Sequence, residues 1–192
     1  MKTRNVWFAL IILLGVHGSA RSDFIATATL TGDGESNSPG TGTGSVLFNS
    51  ATDTLTVALA FTGLTSPTAI PAGVPGAAHI HFGNPGVEGP ILFPFIEPNA
   101  NNFPLDVTSG TYVTTLTAAS LIPDPADGIN TFAEAVSAIE AGQTYFNIHT
   151  VAFPGGEIRG QIVVPEPASL TLLTLGLGGI LAIARFGRRL AA

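Results

Sequence analysis

The sequence has no cysteine, and only 10% of its 192 residues are charged. The absence of cysteine excludes disulfide-bonded scaffolds, zinc ribbons, iron–sulfur clusters and thiol nucleophiles. Stability must therefore come from a hydrophobic core. Hydrophobic residues make up 45% of the chain, and they recur throughout its middle, which favours a folded domain over disorder there.

Basic residues are also scarce, and six of the seven lie near the two ends of the chain. Residues 22–164 contain twelve acidic residues and a single base, Arg159, which gives this segment a formal charge of −11. Nucleic-acid binding needs clustered Lys and Arg side chains that contact phosphates, so nucleic acid is excluded as a partner. Such a negative charge favours solubility outside the cell and opposes contact with anionic surfaces.

The first twenty residues have the three parts of a secretory signal peptide. A basic start is followed by an apolar run over residues 6–16 and by small residues at 18–20. An N-terminal membrane anchor is the weaker interpretation, because the run is shorter than the roughly 20 residues that span a bilayer. We predict a signal peptide over residues 1–20, removed by signal peptidase after Ala20, and export through the inner membrane.

The C-terminal end combines a short motif, an apolar segment and a basic tail. These parts are Pro165, Glu166 and Pro167 within the motif at 164–167, the uncharged residues 168–184 and the tail at 185–192. The apolar segment reaches the lower limit for a transmembrane helix, and the arginines after it are predicted to lie on the cytoplasmic side. The arrangement resembles the PEP-CTERM sorting signal, which implies an exosortase that cuts near the motif and removes the helix. A permanent single-helix anchor is the alternative.

Residues 21–163 are predicted to form one domain with a β pattern. In residues 54–61, large apolar side chains alternate with Thr and Ala, which places one face of a strand in the core. Further strands are predicted at 24–30, 44–49, 78–82, 110–116, 144–149 and 157–163, with Gly- and Pro-rich loops at 31–43 and 94–104. A capping-box pattern at residues 131–134 predicts one short helix. Short strands separated by such turns favour an antiparallel β-sandwich.

The three histidines of this domain lie on polar faces of predicted strands. His79 and His81 point to the same side of one strand, and His149 shares a face of another strand with Asn147. A His-x-His pair can share one metal ion, and three histidines with an open position, completed by water or Glu157, are typical of catalytic zinc. Imidazole also suits copper. The alternative is that the three histidines organise the sheet through hydrogen bonds between strands.

Arg159 shares a strand face with Glu157 and Gln161. We predict a structural ion pair between Arg159 and a carboxylate that fixes the register of the strand, with Glu157, Glu35 and Asp53 as candidates. A clamp for an anionic ligand is the alternative role.

Three separated motifs resemble the CHRD domain, named from chordin. They read Ala-His-Ile-His-Phe-Gly at residues 78–83, Asn-Ile-His-Thr at 147–150 and Pro-Gly-Gly-Glu-Ile-Arg-Gly-Gln at 154–161. The resemblance covers residues 24–163 and implies an extracellular β-sandwich module, immunoglobulin-like or superoxide-dismutase-like in class, with no firmly assigned catalysis. Likeness to superoxide dismutase does not transfer its function, and three histidines are too few for its two-metal site.

We therefore expect an exported, exosortase-processed module of the cell surface or extracellular matrix with a structural or binding role. It would be anchored in the membrane until processing, and its sorting signal implies an association with exopolysaccharide or another surface partner, such as a protein. No catalytic residue and no cofactor are expected under this hypothesis. The alternative is a zinc or copper protein, redox or hydrolytic, built on His79, His81 and His149.

Overall fold

The computed structural model describes residues 21–32, 36–96 and 103–165. The predicted signal peptide and transmembrane helix lie outside the described residues, as does the sorting motif from Glu166 onward. Within the described ranges, no helix has the length and apolar character needed to cross a membrane.

The described residues form eight strands, one α-helix and two short 3₁₀ turns. The strands are β1 (Phe24–Gly32), β2 (Ser38–Asn49), β3 (Thr54–Thr62), β4 (Ala78–Phe82), β5 (Ile91–Pro94), β6 (Gly110–Leu116), β7 (Thr144–Ile148) and β8 (Ile158–Ile162). The helix is α1 (Phe132–Glu140), and the 3₁₀ turns are Ala118–Ser120 and Pro125–Asp127.

The strands form one antiparallel sheet in the order β5-β4-β7-β8-β1-β2-β3-β6. The predicted mainly β class, the antiparallel pairing and the single helix are therefore confirmed. The sheet is continuous and nearly barrel-shaped, so its two facing layers are halves of one sheet. β1 and β8 join these halves. Thr31 of β1 pairs with Arg159 of β8, and Thr27 exchanges backbone hydrogen bonds of 2.8 and 2.9 Å with Val163, which follows β8.

The hydrophobic core lies between the two halves. Phe48 and Leu55 come from one half and Ile80 and Phe146 from the other, and all four are at most 1% exposed. β2 crosses so closely over β7 that a Cβ atom on Gly44 would lie 2.5 Å from the Phe146 ring. The loop predicted at 31–43 is therefore wrong over residues 38–43, where inward glycines of β2 leave room for large side chains opposite.

Helix α1 covers one end of the core. Thr131 Oγ1 accepts a hydrogen bond from the Glu134 amide, and the Glu134 carboxylate accepts one from the Thr131 amide. The predicted capping box is therefore present. The helix buries Phe132, Val136 and Ile139, and the Phe132 ring packs edge-on against Phe93 of β5.

The outer face of β4, β7 and β8 is polar but largely shielded from solvent. His79 and His81 alternate with core residues of β4, and Tyr145 and Asn147 do the same on β7. All four are at most 8% exposed. The loops after β3, β4 and β7 contribute hydrogen-bond partners to this face and create the site described next.

Candidate metal centre

The three histidines of the described chain meet on this polar face. β4 and β7 pair so that Ala78 lies opposite Ile148, which brings His149 beside His79. The His79 ring centroid lies 4.9 Å from that of His149 and 5.4 Å from that of His81. One nitrogen from each ring lies within 4.8 Å of the other two.

Each histidine forms a hydrogen bond to a backbone carbonyl through the ring nitrogen that faces away from the other two rings. The distances are 2.8 Å from His79 Nε2 to Pro75 O, 2.9 Å from His81 Nδ1 to Gly89 O and 2.8 Å from His149 Nδ1 to Pro154 O. A carbonyl oxygen only accepts, so the ring nitrogen that faces it must carry the hydrogen. The three carbonyls belong to three different loops, and together they fix the tautomers of all three rings.

The inward nitrogens of the neutral rings therefore carry lone pairs. Nδ1 of His79 lies 3.1 Å from Nε2 of His149. A neutral imidazole carries one hydrogen, and in both rings the nitrogen that faces the carbonyl holds it, so neither of these two atoms has a hydrogen to donate. Nε2 of His81 is buried and has no hydrogen-bond partner among the described residues. Facing lone pairs repel, and a cation between them converts the repulsion into attraction. Histidine ligands oriented by carbonyls in this way are usual around protein-bound metals.

Burial keeps the three imidazoles uncharged. It lowers the pKa of His79 to about 3, helped by the neighbouring His149 and His81, and it lowers the pKa of His81 to about 4. It also lowers the pKa of His149. A direct His79–His149 hydrogen bond would need a second hydrogen on one ring, and so a buried imidazolium. The geometry thus favours a metal ligand set over hydrogen bonding between strands.

The nitrogen spacing suits a first-row transition metal. Zinc–nitrogen bonds of about 2.0–2.1 Å in a tetrahedral site separate the ligand atoms by roughly 3.3 Å. The His79–His149 pair is already at 3.1 Å, and the wider pairs, up to 4.8 Å, must contract when a metal binds. Three imidazoles leave a fourth position open, and zinc and copper both accept such ligands.

A cleft of about 560 Å³ opens beside this cluster. His81 and His149 line it, whereas the fully buried His79 lies behind them. Two of the three candidate ligands therefore border the cleft. Its remaining polar wall consists of Tyr145, Asn147, Arg159 and Gln161 from β7 and β8, with glycine-containing segments at 86–89 and 155–156.

The comparison with known families agrees with the histidine-bearing motifs. Residues 26–162 match the family model described as CHRD domain, a span that runs from β1 to β8 and includes all three histidines. The chain belongs to the CHRD family. No curated protein and no solved structure matches it. A CHRD domain suggests an extracellular or secreted module with a structural or binding role.

Arg159 of this CHRD domain stacks on an aromatic ring. Its Cζ atom lies 3.9 Å from the centroid of Tyr145, and Nη2 donates to the Val87 carbonyl at 3.0 Å. On the other side of β7, the His81 ring of β4 stacks nearly parallel to the Tyr145 ring, with the two centroids 4.9 Å apart. Tyr145 thus lies between the guanidinium and the histidine cluster.

Glu157 has other partners than Arg159, so the predicted Arg159–Glu157 ion pair is wrong. The Glu157 carboxylate accepts from the Ser38 hydroxyl, from the amide and hydroxyl of Thr65 and from the Thr150 hydroxyl, at 2.6–2.9 Å. No ion pair joins Glu157 to Arg159 in this part of the chain. The physical reason is that Glu157 precedes β8, and its carboxylate lies beside the start of β2, where the hydroxyls of Ser38, Thr65 and Thr150 donate to it.

Three polar side chains of β7 and β8 hold the loops around the histidine cluster, and these roles were not predicted from the sequence. Asn147 Nδ2 donates to Gly155 O at 3.0 Å, and Gln161 Nε2 donates to the carbonyls of Gly83 and Gly142. The Tyr145 hydroxyl accepts from the Gly89 amide at 3.2 Å. The available signal was position, because Tyr145 and Asn147 occupy the same strand face as His149.

Proposed function

We propose that this CHRD domain binds one transition-metal ion, zinc or copper, through His79 Nδ1, His81 Nε2 and His149 Nε2. The observation that carries the proposal is the convergence of three unprotonated nitrogens, each set by a carbonyl on the far side of its ring. Neutral imidazole is the form that ligates metals, and burial keeps these rings neutral. The metal would serve a binding or structural module.

The direct test is a titration of purified protein with Co²⁺, whose visible absorption reports coordination, followed by competition with Zn²⁺. We expect one ion per chain. His81→Ala and His149→Ala should each weaken binding by more than the roughly 10- to 100-fold that loss of an outer partner costs, because each removes a ligand.

Thr115→Ala is the control for this experiment. It shortens an exposed side chain of β6 that does not line the cleft, and it removes no ligand nitrogen, so its metal affinity should stay close to that of the parent protein. Circular dichroism of each variant separates loss of a ligand from loss of the fold. Undiminished binding in folded His81→Ala would contradict the proposed site.

We further propose that the module is exported and reaches the cell surface or extracellular matrix. This proposal is supported by the signal-peptide pattern, by the Pro165-Glu166-Pro167 motif with its apolar segment and basic tail, and by membership of a family that suggests secretion. The facing half-sheets support the β-sandwich class that the resemblance implies. Signal peptidase and exosortase would be the processing enzymes, and a polysaccharide or surface protein the partner.

Processing is tested by intact-mass measurement of the protein recovered outside the cell. The expected mass lacks both residues 1–20 and the chain that follows the motif. A recovered protein that retains residues 170–192 would rule out exosortase cleavage and favour the permanent anchor.

A further inference from the structure

We infer that the cleft beside the three histidines takes a small carboxylate-bearing molecule, whose carboxylate completes the coordination of the bound metal near Arg159. The inference rests on the proposed metal site. It identifies the chemistry of the ligand that occupies the fourth position.

The cleft beside the histidine cluster is large enough for such a molecule. His81 and His149 contribute to its wall, whereas the fully buried His79 does not. The volume of about 560 Å³ falls within the range of small-molecule pockets. A water molecule alone would leave most of it unfilled.

Arg159 supplies a fixed positive charge at this cleft. It is the only base within residues 22–164, and its guanidinium lines the cleft while stacking on Tyr145. The bond to Val87 O uses one of five guanidinium N–H donors and holds the group in place. Because Tyr145 stacks on His81, a single aromatic ring separates the guanidinium from the metal ligands.

A bound metal would reverse the sign of the charge in the cleft. The charged side chains that line it within the described chain are Glu88, Glu157 and Arg159. Two carboxylates and one guanidinium give a formal charge of −1, and a divalent ion on neutral imidazoles changes it to +1. Anions are therefore disfavoured before metal binds and favoured afterwards. By linkage, a bound carboxylate should tighten metal binding by the same factor by which the bound metal tightens carboxylate binding.

The experiment uses Co²⁺-loaded protein titrated separately with acetate, galacturonate and galactose while the visible absorption is followed. Acetate tests the carboxylate alone, galacturonate tests an acidic sugar that fills more of the cleft, and galactose is its uncharged counterpart. We expect both carboxylates to change the spectrum and galactose to leave it unchanged. Tighter binding of galacturonate than of acetate would identify acidic sugars as the preferred source.

Charge variants test the role of Arg159. Arg159→Gln should weaken carboxylate binding by about 3- to 10-fold, because a nearby positive charge is removed. Glu88→Gln should tighten it by about 2- to 5-fold. Asp53→Asn makes the same charge change in the distant turn between β2 and β3, where screening should keep the effect below about 2-fold. Circular dichroism verifies the fold of each variant.

The outcomes separate this inference from the proposed metal site. Failure of Co²⁺ to bind the parent protein would remove the proposed function itself. Normal Co²⁺ binding with a spectrum that neither carboxylate changes would overturn only the inference about the ligand. Equal carboxylate affinities in the parent, Arg159→Gln and Glu88→Gln would overturn the electrostatic role of the cleft.

Discussion

Glu157 is a nearly fully buried carboxylate whose charge is stabilised by hydroxyl and amide donors. Desolvation raises its pKa, but the hydrogen bonds from Ser38, Thr65 and Thr150 outweigh this effect, so the pKa is lowered overall. These donors belong to β2, to the loop after β3 and to the loop after β7. The last of these loops also carries Pro154, whose carbonyl orients His149. Glu157 thus helps to hold the loop whose carbonyl orients His149 in the proposed metal site.

Glu157→Gln should lower the free energy of unfolding at pH 7 by about 1–3 kcal/mol, because charge-assisted hydrogen bonds are lost. A carboxyl with a lowered pKa in the folded state stabilises the fold above its ordinary pKa of 4.5 and loses that contribution as the pH falls below it. The stability difference between parent and variant should therefore shrink between pH 5 and about pH 3.

Urea unfolding of the metal-free protein across this pH range measures the difference. The histidines titrate in both proteins, so their effect cancels in the comparison. Glu140→Gln, at the exposed end of α1, is the control for an equal change in charge. A difference between parent and Glu157→Gln that stays constant from pH 7 to pH 3 would contradict the role assigned to the buried carboxylate.

Individual side chains were predictable from sequence only where strand alternation decides them. The shared face of His79 and His81, and the polar side occupied by His149, follow from a period of two. The carbonyls of Pro75, Gly89 and Pro154 could not be predicted, because a backbone oxygen has no residue signature and its position depends on loop closure. The partner of Glu157 was wrong for a similar reason, since strand neighbours do not reveal which loop covers a strand end.

At the scale of elements, β2 shows how a strand can resemble a loop in sequence. Glycine and threonine alternate over residues 40–44, and the glycines are inward while the threonines are exposed. Composition suggested a loop, although the period of two was present. The large side chains that fill this part of the core come from other segments, among them Phe146, Leu64 and Ile158. The sequence of one strand does not show that its small residues leave room for large side chains from other segments of the chain.

Gly44→Ala should destabilise the domain by about 1–3 kcal/mol, because the new methyl group would overlap the Phe146 ring and the core must shift. Urea unfolding at constant pH measures the effect. Gly155→Ala is the control, since a Cβ there meets no atom within 4 Å and its backbone is not left-handed. Equal stabilities for the two variants would show that β2 and β7 do not pack as described.

At the scale of the whole molecule, the two halves of the sheet differ in the charged residues that their strands carry. β1, β2, β3 and β6 contain no charged residue, whereas β8 carries Arg159, and Thr29 and Thr31 of β1 complete the wall of the cleft beside it. The sequence predicted the β class, because alternation and turn residues are local. It could not predict that β8 pairs with β1 and joins the halves, since this contact links opposite ends of the domain.

The attachment of each histidine to its own loop has a consequence for the lifetime of a bound metal. Release through the cleft would require a ligand ring to rotate away, and every ring is held from behind by Pro75, Gly89 or Pro154. Dissociation would then wait for a backbone segment to open, in residues that never touch the ion. Such a site would exchange its metal slowly for kinetic reasons, whatever its equilibrium affinity.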